Sequence, residues 1–224
     1  MPVVFERLVV WRDRTPRPGP ENMAVDEWLL ETAADAPLLR VYDWEGDWAS
    51  FGYFLRFGEV RRQVDLPVLR LVRRLTGGGI VDHRGDRTYT LVVPRHEEIA
   101  NLRGAESYRR IHGAVAEALA EMGIMASLVK SDSGENSELC FENPVQWDVA
   151  GTRGRKLAGA GQRRTRKGLL HQGSVAAAKL DGLTGHLGKA LARVVEPWQG
   201  ELNPEAVEEL AGTRYGSPEW LRRR

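Results

Sequence analysis

The chain has 224 residues, of which 42% are hydrophobic and 28% charged, and its formal net charge is +1. This composition is ordinary for a soluble globular protein, and the length suits one large domain. A nearly balanced charge gives no general attraction to nucleic acid or membrane, and no apolar run approaches the ~20 residues of a membrane helix. Charged residues enter the N-terminal stretch too early for a secretory signal peptide. We therefore expect a cytoplasmic protein.

The N-terminal half contains several short strands and one helix. The stretch FERLVVWRD predicts a strand, and ENMAVDEWLLETAAD predicts a helix with Asn22 as its N-cap. Four stretches that follow, LLRVYDW, ASFGYF, PVLRLVRRL and RTYTLVVP, are rich in apolar and β-branched residues and predict strands.

The second half begins with the clearest helix, AESYRRIHGAVAEALAEMG. Its apolar side chains recur every three or four residues, at Tyr108, Ile111, Val115, Leu119 and Met122, and Gly123 supplies a stop. The stretches QWDVAG, RKLAGAGQRR and GLLHQGSVAA then predict an antiparallel meander, and the last forty residues contain helical pieces such as NPEAVEELAG. Strands outnumber helices without alternating with them, which predicts an α+β fold.

Three consecutive glycines in RRLTGGGIVDH form the first candidate site. Glycines let a ligand approach the backbone and leave N–H groups available, so Gly77–Gly79 could cradle an acyl carbonyl or a phosphate. Arg73 and Arg74 could add positive charge beside them, and His83 lies just beyond. The alternative is a flexible hairpin. The spacing matches neither a Walker loop nor a dinucleotide-binding fingerprint.

The second candidate is GRKLAGAGQRR, where small residues at 158–161 leave room over a strand and Lys156 borders that space. A lysine beside a pocket can orient a carbonyl oxygen or stabilise a thiolate. The alternative is a solvated basic turn, which suits the following RRTRK stretch.

Cys140, in SELCFEN, is the only cysteine of the chain, which excludes an intramolecular disulfide and a multi-cysteine metal site. On a polar loop near basic residues its pKa could fall far enough to make it a nucleophile. Most free cysteines are instead buried and inert. Residue chemistry alone leaves both alternatives open.

Taken together, these stretches resemble the biotin/lipoate A/B protein ligase superfamily. NMAVDEWLL is similar to its N-terminal helix motif, RRLTGGGIVDH to its glycine loop, and GRKLAGAGQRRTRKGLLHQGSV to its lysine motif and following strand. The order is kept over residues 22–175. The resemblance implies a mixed or antiparallel central sheet flanked by helices, formed by residues 1–224 as a single catalytic domain without a clear C-terminal accessory domain.

The resemblance also implies the residues of the site. Cys140 and Lys156 would be catalytic, with no metal ligand among the site residues. The set expected to bind the acyl group or an adenylate comprises Arg73, Arg74, Gly77, Gly78, Gly79, His83, Asp148, Gly159 and His171.

Two chemistries are compatible with this superfamily. The stretch CFENPVQWDVAGTRGRKLAG is similar to the cysteine-loop octanoyltransferases, which move an octanoyl group from acyl carrier protein to a cysteine and then to a lysine, without a cofactor. The Thr-Gly-Gly-Gly of the glycine loop is closer to the lipoate–protein ligases, which use ATP and Mg²⁺ to form an acyl-adenylate. The transferase is the favoured expectation.

Either enzyme would modify a lysine of a lipoyl domain, as found in 2-oxoacid dehydrogenases and the glycine cleavage H protein. We expect neither nucleic acid nor membrane as a partner. A non-enzymatic protein that binds acidic partners through RRTRK and WLRRR is a remote alternative, because acidic residues balance the basic ones.

Overall fold

The computed structural model describes residues 3–32, 35–64, 69–130 and 145–223. Eleven strands are found in these ranges: β1 Phe5–Arg12, β2 Leu38–Tyr42, β3 Trp48–Phe51, β4 Arg70–Arg73, β5 Ile80–Asp82, β6 Arg87–Pro94, β7 Ser127–Leu128, β8 Val149–Ala150, β9 Lys156–Arg164, β10 Gly168–Val175 and β11 Ala192–Pro197. The described α-helices are α1 Gly19–Thr32, α2 Phe57–Gln63, α3 Glu98–Asn101, α4 Gly104–Glu121, α5 Leu183–Leu191, α6 Pro204–Leu210 and α7 Pro218–Leu221. A π-helical turn, Ala211–Tyr215, follows α6.

The strands form two sheets. The larger has the order β11-β1-β2-β6-β10-β9-β8-β7, in which β1 runs parallel to β11 and β2 and every other pair is antiparallel. The smaller has the order β4-β3-β5. The expected α+β architecture with a mixed central sheet and the β8-β9-β10 meander are therefore confirmed.

Helices cover both faces of the large sheet. Side chains of a strand alternate between its faces, so Leu169 of β10 packs with α4 and α5, whereas Leu170 packs with α1 and α6. The apolar stripe expected on α4 is confirmed, since Ile111, Val115 and Leu119 are fully buried. Gly123 lies just beyond α4 with φ of +78°, the left-handed conformation that favours glycine at a helix end.

The prediction that Asn22 caps α1 was wrong. The helix begins at Gly19, and Asn22 is fully buried inside it. Its side chain donates to the carbonyl oxygens of Arg17 and Asp43 and accepts a hydrogen bond from Arg40. A short polar side chain can serve tertiary contacts as well as a cap, and sequence position does not distinguish the two uses.

The glycine loop is not a hairpin. Strand β4 lies parallel to β3 on one side, and β5 lies antiparallel to β3 on the other. Residues 74–79 therefore cross the end of β3. A Cβ on Gly52, directly after β3, would overlap the carbonyl oxygen of Gly78. The close contact at the crossing thus needs glycine at both Gly52 and Gly78. The crossing brings the loop over the large sheet.

No helix among the described ranges is both long and apolar enough to cross a membrane.

Candidate active site

A cavity of about 250 Å³ lies between the glycine loop, strand β9 and the N-terminal helix α1. Its walls combine small residues, which leave space, with aromatic and apolar side chains. They include Met23, Tyr42, Trp44, Val81, Val145, Gly159, Ala160 and Gly161. Such a mainly apolar cleft with a few polar groups is typical of a site that holds a small organic chain.

Arg74 holds the glycine loop in shape. Its guanidinium donates to the carbonyl oxygens of Gly77 and Gly79, at 3.1 and 2.9 Å, and to Ser50 Oγ at 2.7 Å. A Cβ on Gly161 of β9 would overlap the carbonyl oxygen of Gly77, so the loop lies directly against the lysine strand. Arg74 does border the cavity, as expected, but these bonds engage its charge with the loop.

Gly78 is the loop residue best placed to meet a ligand. It lines the cavity with φ of +94°, a conformation that favours glycine. Among the residues that the structure describes, its backbone N–H has no hydrogen-bond acceptor. An unpaired N–H beside an apolar cavity can donate to a carbonyl or developing oxyanion.

His83 also borders the cavity, and both ring nitrogens are engaged. Nδ1 lies 2.7 Å from a carboxylate oxygen of Asp86, and Nε2 lies 2.6 Å from Ser50 Oγ. The carboxylate can only accept, so Nδ1 carries a proton, and Nε2 is hydrogen-bonded to Ser50. The atoms follow the order of a Ser-His-Asp triad. Ser50 borders the cavity, but its oxygen also accepts from Arg74, so the chain of bonds supports the glycine loop.

Lys156 and Asp148 form a buried ion pair at the cavity wall. Lys156 Nζ lies 2.7 Å from Asp148 Oδ2, and the two side chains are 5% and 0% exposed. Asp148 also accepts from the backbone N–H of Val145 at 2.9 Å and from the Tyr108 hydroxyl at 2.6 Å. These bonds compensate the desolvation of the carboxylate. The lysine is therefore held inside the site and is not part of a solvated turn.

Gly159 makes room for the lysine. A Cβ at this position would lie 2.6 Å from Lys156 Cε and 2.7 Å from Nζ, closer than side chains pack. The pairing of β8 with β9 shifts register between Val149 and Ala150, directly after Asp148. A register shift of this kind changes the direction in which side chains of the strand point, and it is common beside active sites.

The structure brings seven of the expected site residues to the cavity wall: Arg74, Gly78, Gly79, His83, Asp148, Lys156 and Gly159. Gly77 contributes its carbonyl oxygen to the Arg74 contact but does not line the cavity. Cys140 lies outside the described residues.

Arg73 is directed away from the cavity, contrary to expectation. Its guanidinium donates to five backbone carbonyl oxygens, two in the loop after β3 and three at the end of the described chain: Tyr53, Leu55, Trp220, Leu221 and Arg223. Arg73 is fully buried, and it joins the C-terminal helix α7 to the loop that supports the glycines. Its position indicates a structural role.

His171 lies on the opposite face of the large sheet. Its ring contacts the Tyr89 hydroxyl at 3.1 Å and Gln162 at 3.0 Å, and burial lowers its pKa well below the usual histidine value. The neighbours Gln172 and Ser174 point to the cavity instead. Side chains alternate along a strand, so Gln172 and Ser174 lie on one face of the sheet and His171 lies on the other.

Sequence reasoning missed Tyr108 as a site residue. The helical pattern places it in the apolar stripe of α4, but its hydroxyl reaches Asp148 and its side chain lines the cavity. A tyrosine at a stripe position satisfies the helical pattern through its ring, so the pattern does not reveal the polar contact.

Residues 18–210 match the family model of the lipoyl protein ligase A/B catalytic domain. The chain belongs to this family. Among curated relatives, it is 33% identical to octanoyltransferase LipM of Symbiobacterium thermophilum over 182 residues, which cover 74% of this chain and 64% of that protein. It is 35% identical to octanoyltransferase LipM of Moorella thermoacetica, over 69% of this chain and 59% of that one. The chain thus spans less than two thirds of the length of these relatives.

Solved structures of the family share the fold. Lipoate-protein ligase A bound with ATP superimposes with a TM-score of 0.75 and 19% identity, covering 97% of this chain and 98% of that one. A bipartite lipoate protein ligase from Thermoplasma acidophilum, solved in a study of an archaeal lipoylation system with its E2 lipoyl domain, gives a TM-score of 0.67 at 19% identity, covering 98% and 96%. At this identity the likeness concerns the fold.

Proposed function

We propose that this protein transfers an octanoyl or lipoyl group to a lysine of a lipoyl-type carrier domain. The observation that carries the proposal is the buried Lys156–Asp148 pair, which faces the glycine loop across an apolar cavity. The family membership and the curated relatives named octanoyltransferase support it. Burial of an acyl chain in such a cavity contributes about 0.8 kcal/mol per methylene, which favours a chain of defined length.

We further propose that Cys140 carries the acyl group between two transfers. Its thiolate attacks the carbonyl carbon of an octanoyl thioester on acyl carrier protein, the bond to the carrier sulfur breaks, and the carrier leaves as a thiol. The amine of the acceptor lysine then attacks the new thioester, and the Cys140 sulfur is released. No cofactor is needed, because a thioester is more reactive than the amide that replaces it.

The remaining groups have distinct tasks in this scheme. The N–H of Gly78 would donate to the acyl oxygen as it gains negative charge. Lys156 would orient the acyl carbonyl and take part in proton transfer from the attacking amine. Val145 lines the cavity, and Cys140 precedes it by five residues in the sequence.

The test uses the fact that the chain has one cysteine. The protein is incubated with octanoyl carrier protein, and its intact mass is recorded before and after hydroxylamine. We expect a single labile octanoyl adduct, which is absent from Cys140→Ser. Transfer from the adduct to an apo lipoyl domain then follows as a second mass shift on the acceptor.

A lipoate–protein ligase is the alternative reaction, and the third glycine of the loop favours it. Under that reaction, lipoate with ATP and Mg²⁺ modifies the lipoyl domain in the Cys140→Ser variant as well as in the wild type. An absent adduct together with activity that survives Cys140→Ser would refute the cysteine route. Absence of acceptor modification with either donor would refute the proposed function as a whole.

A further inference from the structure

The turn that presents Asp148 has an unusual backbone. Trp147, directly before it, has φ of +72°, in the left-handed region that bulky residues rarely adopt. Such a conformation costs on the order of 1–3 kcal/mol and persists only where the surroundings fix it. The turn itself supplies two bonds, from Trp147 N–H to the Val129 carbonyl at 2.8 Å and from Asp148 N–H to the Val145 carbonyl at 3.0 Å. Further contacts come from helix α4.

His112 of α4 forms a hydrogen bond with the backbone of this turn. Its Nδ1 lies 2.8 Å from the carbonyl oxygen of Trp147. A carbonyl oxygen can only accept, so Nδ1 carries the proton and Nε2 is bare. Nε2 is buried and has no hydrogen-bond partner among the described residues. Burial lowers the pKa of His112 to about 4, which keeps the ring neutral and this tautomer in place at neutral pH.

Tyr108 lies one helical turn before His112, and the two rings are 4.0 Å apart. Its hydroxyl donates to Asp148 Oδ1 at 2.6 Å and accepts from the backbone N–H of Ala160 at 2.9 Å. One oxygen therefore connects the carboxylate to strand β9, which also carries Lys156. The other carboxylate oxygen, Oδ2, contacts Lys156 Nζ.

We propose that Tyr108 and His112 form a positioning pair on α4 that aims the Asp148 carboxylate at Lys156 during acyl transfer. His112 fixes the backbone of the turn through Trp147, and Tyr108 fixes the rotation of the carboxylate relative to β9. Asp148 then holds the lysine amine in one place at the cavity wall. The inference rests on the proposed function, because it assigns these two residues to the same site.

The geometry also separates this role from simple packing. Tyr108 and His112 could fill the α4 interface as apolar residues, since neighbouring Ile111 and Val115 are fully buried there without polar contacts. Instead, each directs a polar atom at the turn around Asp148. A displacement of about 1 Å in a catalytic group can cost on the order of 100-fold in rate. The pair therefore affects the rate constant more than the binding of either substrate.

The first test compares Tyr108→Phe with Tyr215→Phe. Tyr215 is a matched control, because its buried hydroxyl also donates to a carboxylate, that of Glu27 at 2.8 Å, but outside the cavity. We expect Tyr108→Phe to lower kcat at least 10-fold with KM for the lipoyl domain unchanged, and to displace the pH–rate profile. Tyr215→Phe should match the wild type in both respects after correction for any loss of Tm.

The second test varies His112. Asparagine places an amide N–H where Nδ1 stands, whereas leucine removes the donor. We expect His112→Asn to retain most of the kcat and His112→Leu to lose it at least 10-fold. Equal activity of the two variants would contradict the role of the Trp147 contact.

A third measurement does not depend on turnover. Acetic anhydride modifies amines, and peptide mass spectrometry reports the rate at Lys156. We expect several-fold faster modification in Tyr108→Phe than in Tyr215→Phe, because the Asp148 carboxylate that pairs with Lys156 loses one of the bonds that fix its orientation. Wild-type rates in Tyr108→Phe, for both acyl transfer and labelling, would overturn the inference. Acyl transfer that is absent in the wild type while labelling still differs would refute the proposed function and leave the positioning contact supported.

Discussion

Gly159→Ala tests whether the position of the Lys156 amine controls the reaction. The new Cβ would lie 2.6 Å from Lys156 Cε and 2.7 Å from Nζ, while ordinary contacts begin at 3.4 Å. The end of the lysine must therefore retreat by about 0.8 Å, which the flexible side chain can do without moving the backbone. We expect this retreat to lengthen the contact from Nζ to Asp148 Oδ2, which is 2.7 Å in the wild type.

We expect this displacement of the lysine end to have a large effect on the rate of acyl transfer and a small effect on stability. We expect kcat for acyl transfer to fall on the order of 100-fold, as for a catalytic group misplaced by about 1 Å. The unfolding free energy changes less, because alanine in a strand gains about 0.5–1 kcal/mol over glycine and offsets part of the weakened ion pair.

The assay follows octanoyl transfer to an apo lipoyl domain by intact mass, with Tm measured on the same samples. Gly185→Ala is the control, since a Cβ there, in α5, would meet no atom within 4 Å. Full activity of Gly159→Ala at an unchanged Tm would refute the argument that the lysine position matters. A loss of activity that only parallels a loss of Tm would refute it too.

Three further predictions concern the loop, the C-terminal contact and acid stability. Gly161→Ala should abolish transfer and lower Tm, because its Cβ would overlap the rigid backbone carbonyl of Gly77; Gly58→Ala, which meets no atom, should do neither. Arg73→Ala should lower the unfolding free energy by at least about 2 kcal/mol and expose the C-terminal segment to limited proteolysis, because buried carbonyls lose a charged donor. The pKa of His112 falls from 6.5 to about 4 on folding, so the unfolded state binds the extra proton between these values. Its contribution is thus complete above pH ~6.5 and is lost toward pH 4, at about 1.4 kcal/mol per pH unit. Urea unfolding of the wild type and His112→Asn at pH 7, 6 and 5 measures this difference, and identical slopes would contradict it.

The local sequence pattern was sufficient to predict those elements whose structure depends on a single local property. The period of α4, the apolar and β-branched content of β6 and the glycine after α4 each act within a few residues, so these elements were predicted correctly. Elements with weaker patterns were missed, among them α2 and β11. Strand β11, with its mostly exposed side chains, is held at the sheet edge by parallel pairing with β1, which no local signal announces.

The candidate site was likewise predicted only in part from the sequence. The three motifs identify the segments that meet at the cavity, but not which side of each strand faces it. Arg73 and Arg74 are adjacent and chemically identical, yet one binds carbonyls of the C-terminal segment and the other the glycine loop. On β10, the adjacent residues His171 and Gln172 likewise differ, because Gln172 lines the cavity and His171 lies on the opposite face.

The sequence by itself determined the family, the fold class and the segments that carry the chemistry, because motif spacing and hydrophobic period are local properties. Only the tertiary structure decided that Lys156 is a buried partner of Asp148 and that Tyr108 reaches the same carboxylate. These contacts join residues 8 to 52 positions apart, including the bond from Ala160 to Tyr108. They depend on strand register and helix rotation, which are set by packing across the whole sheet.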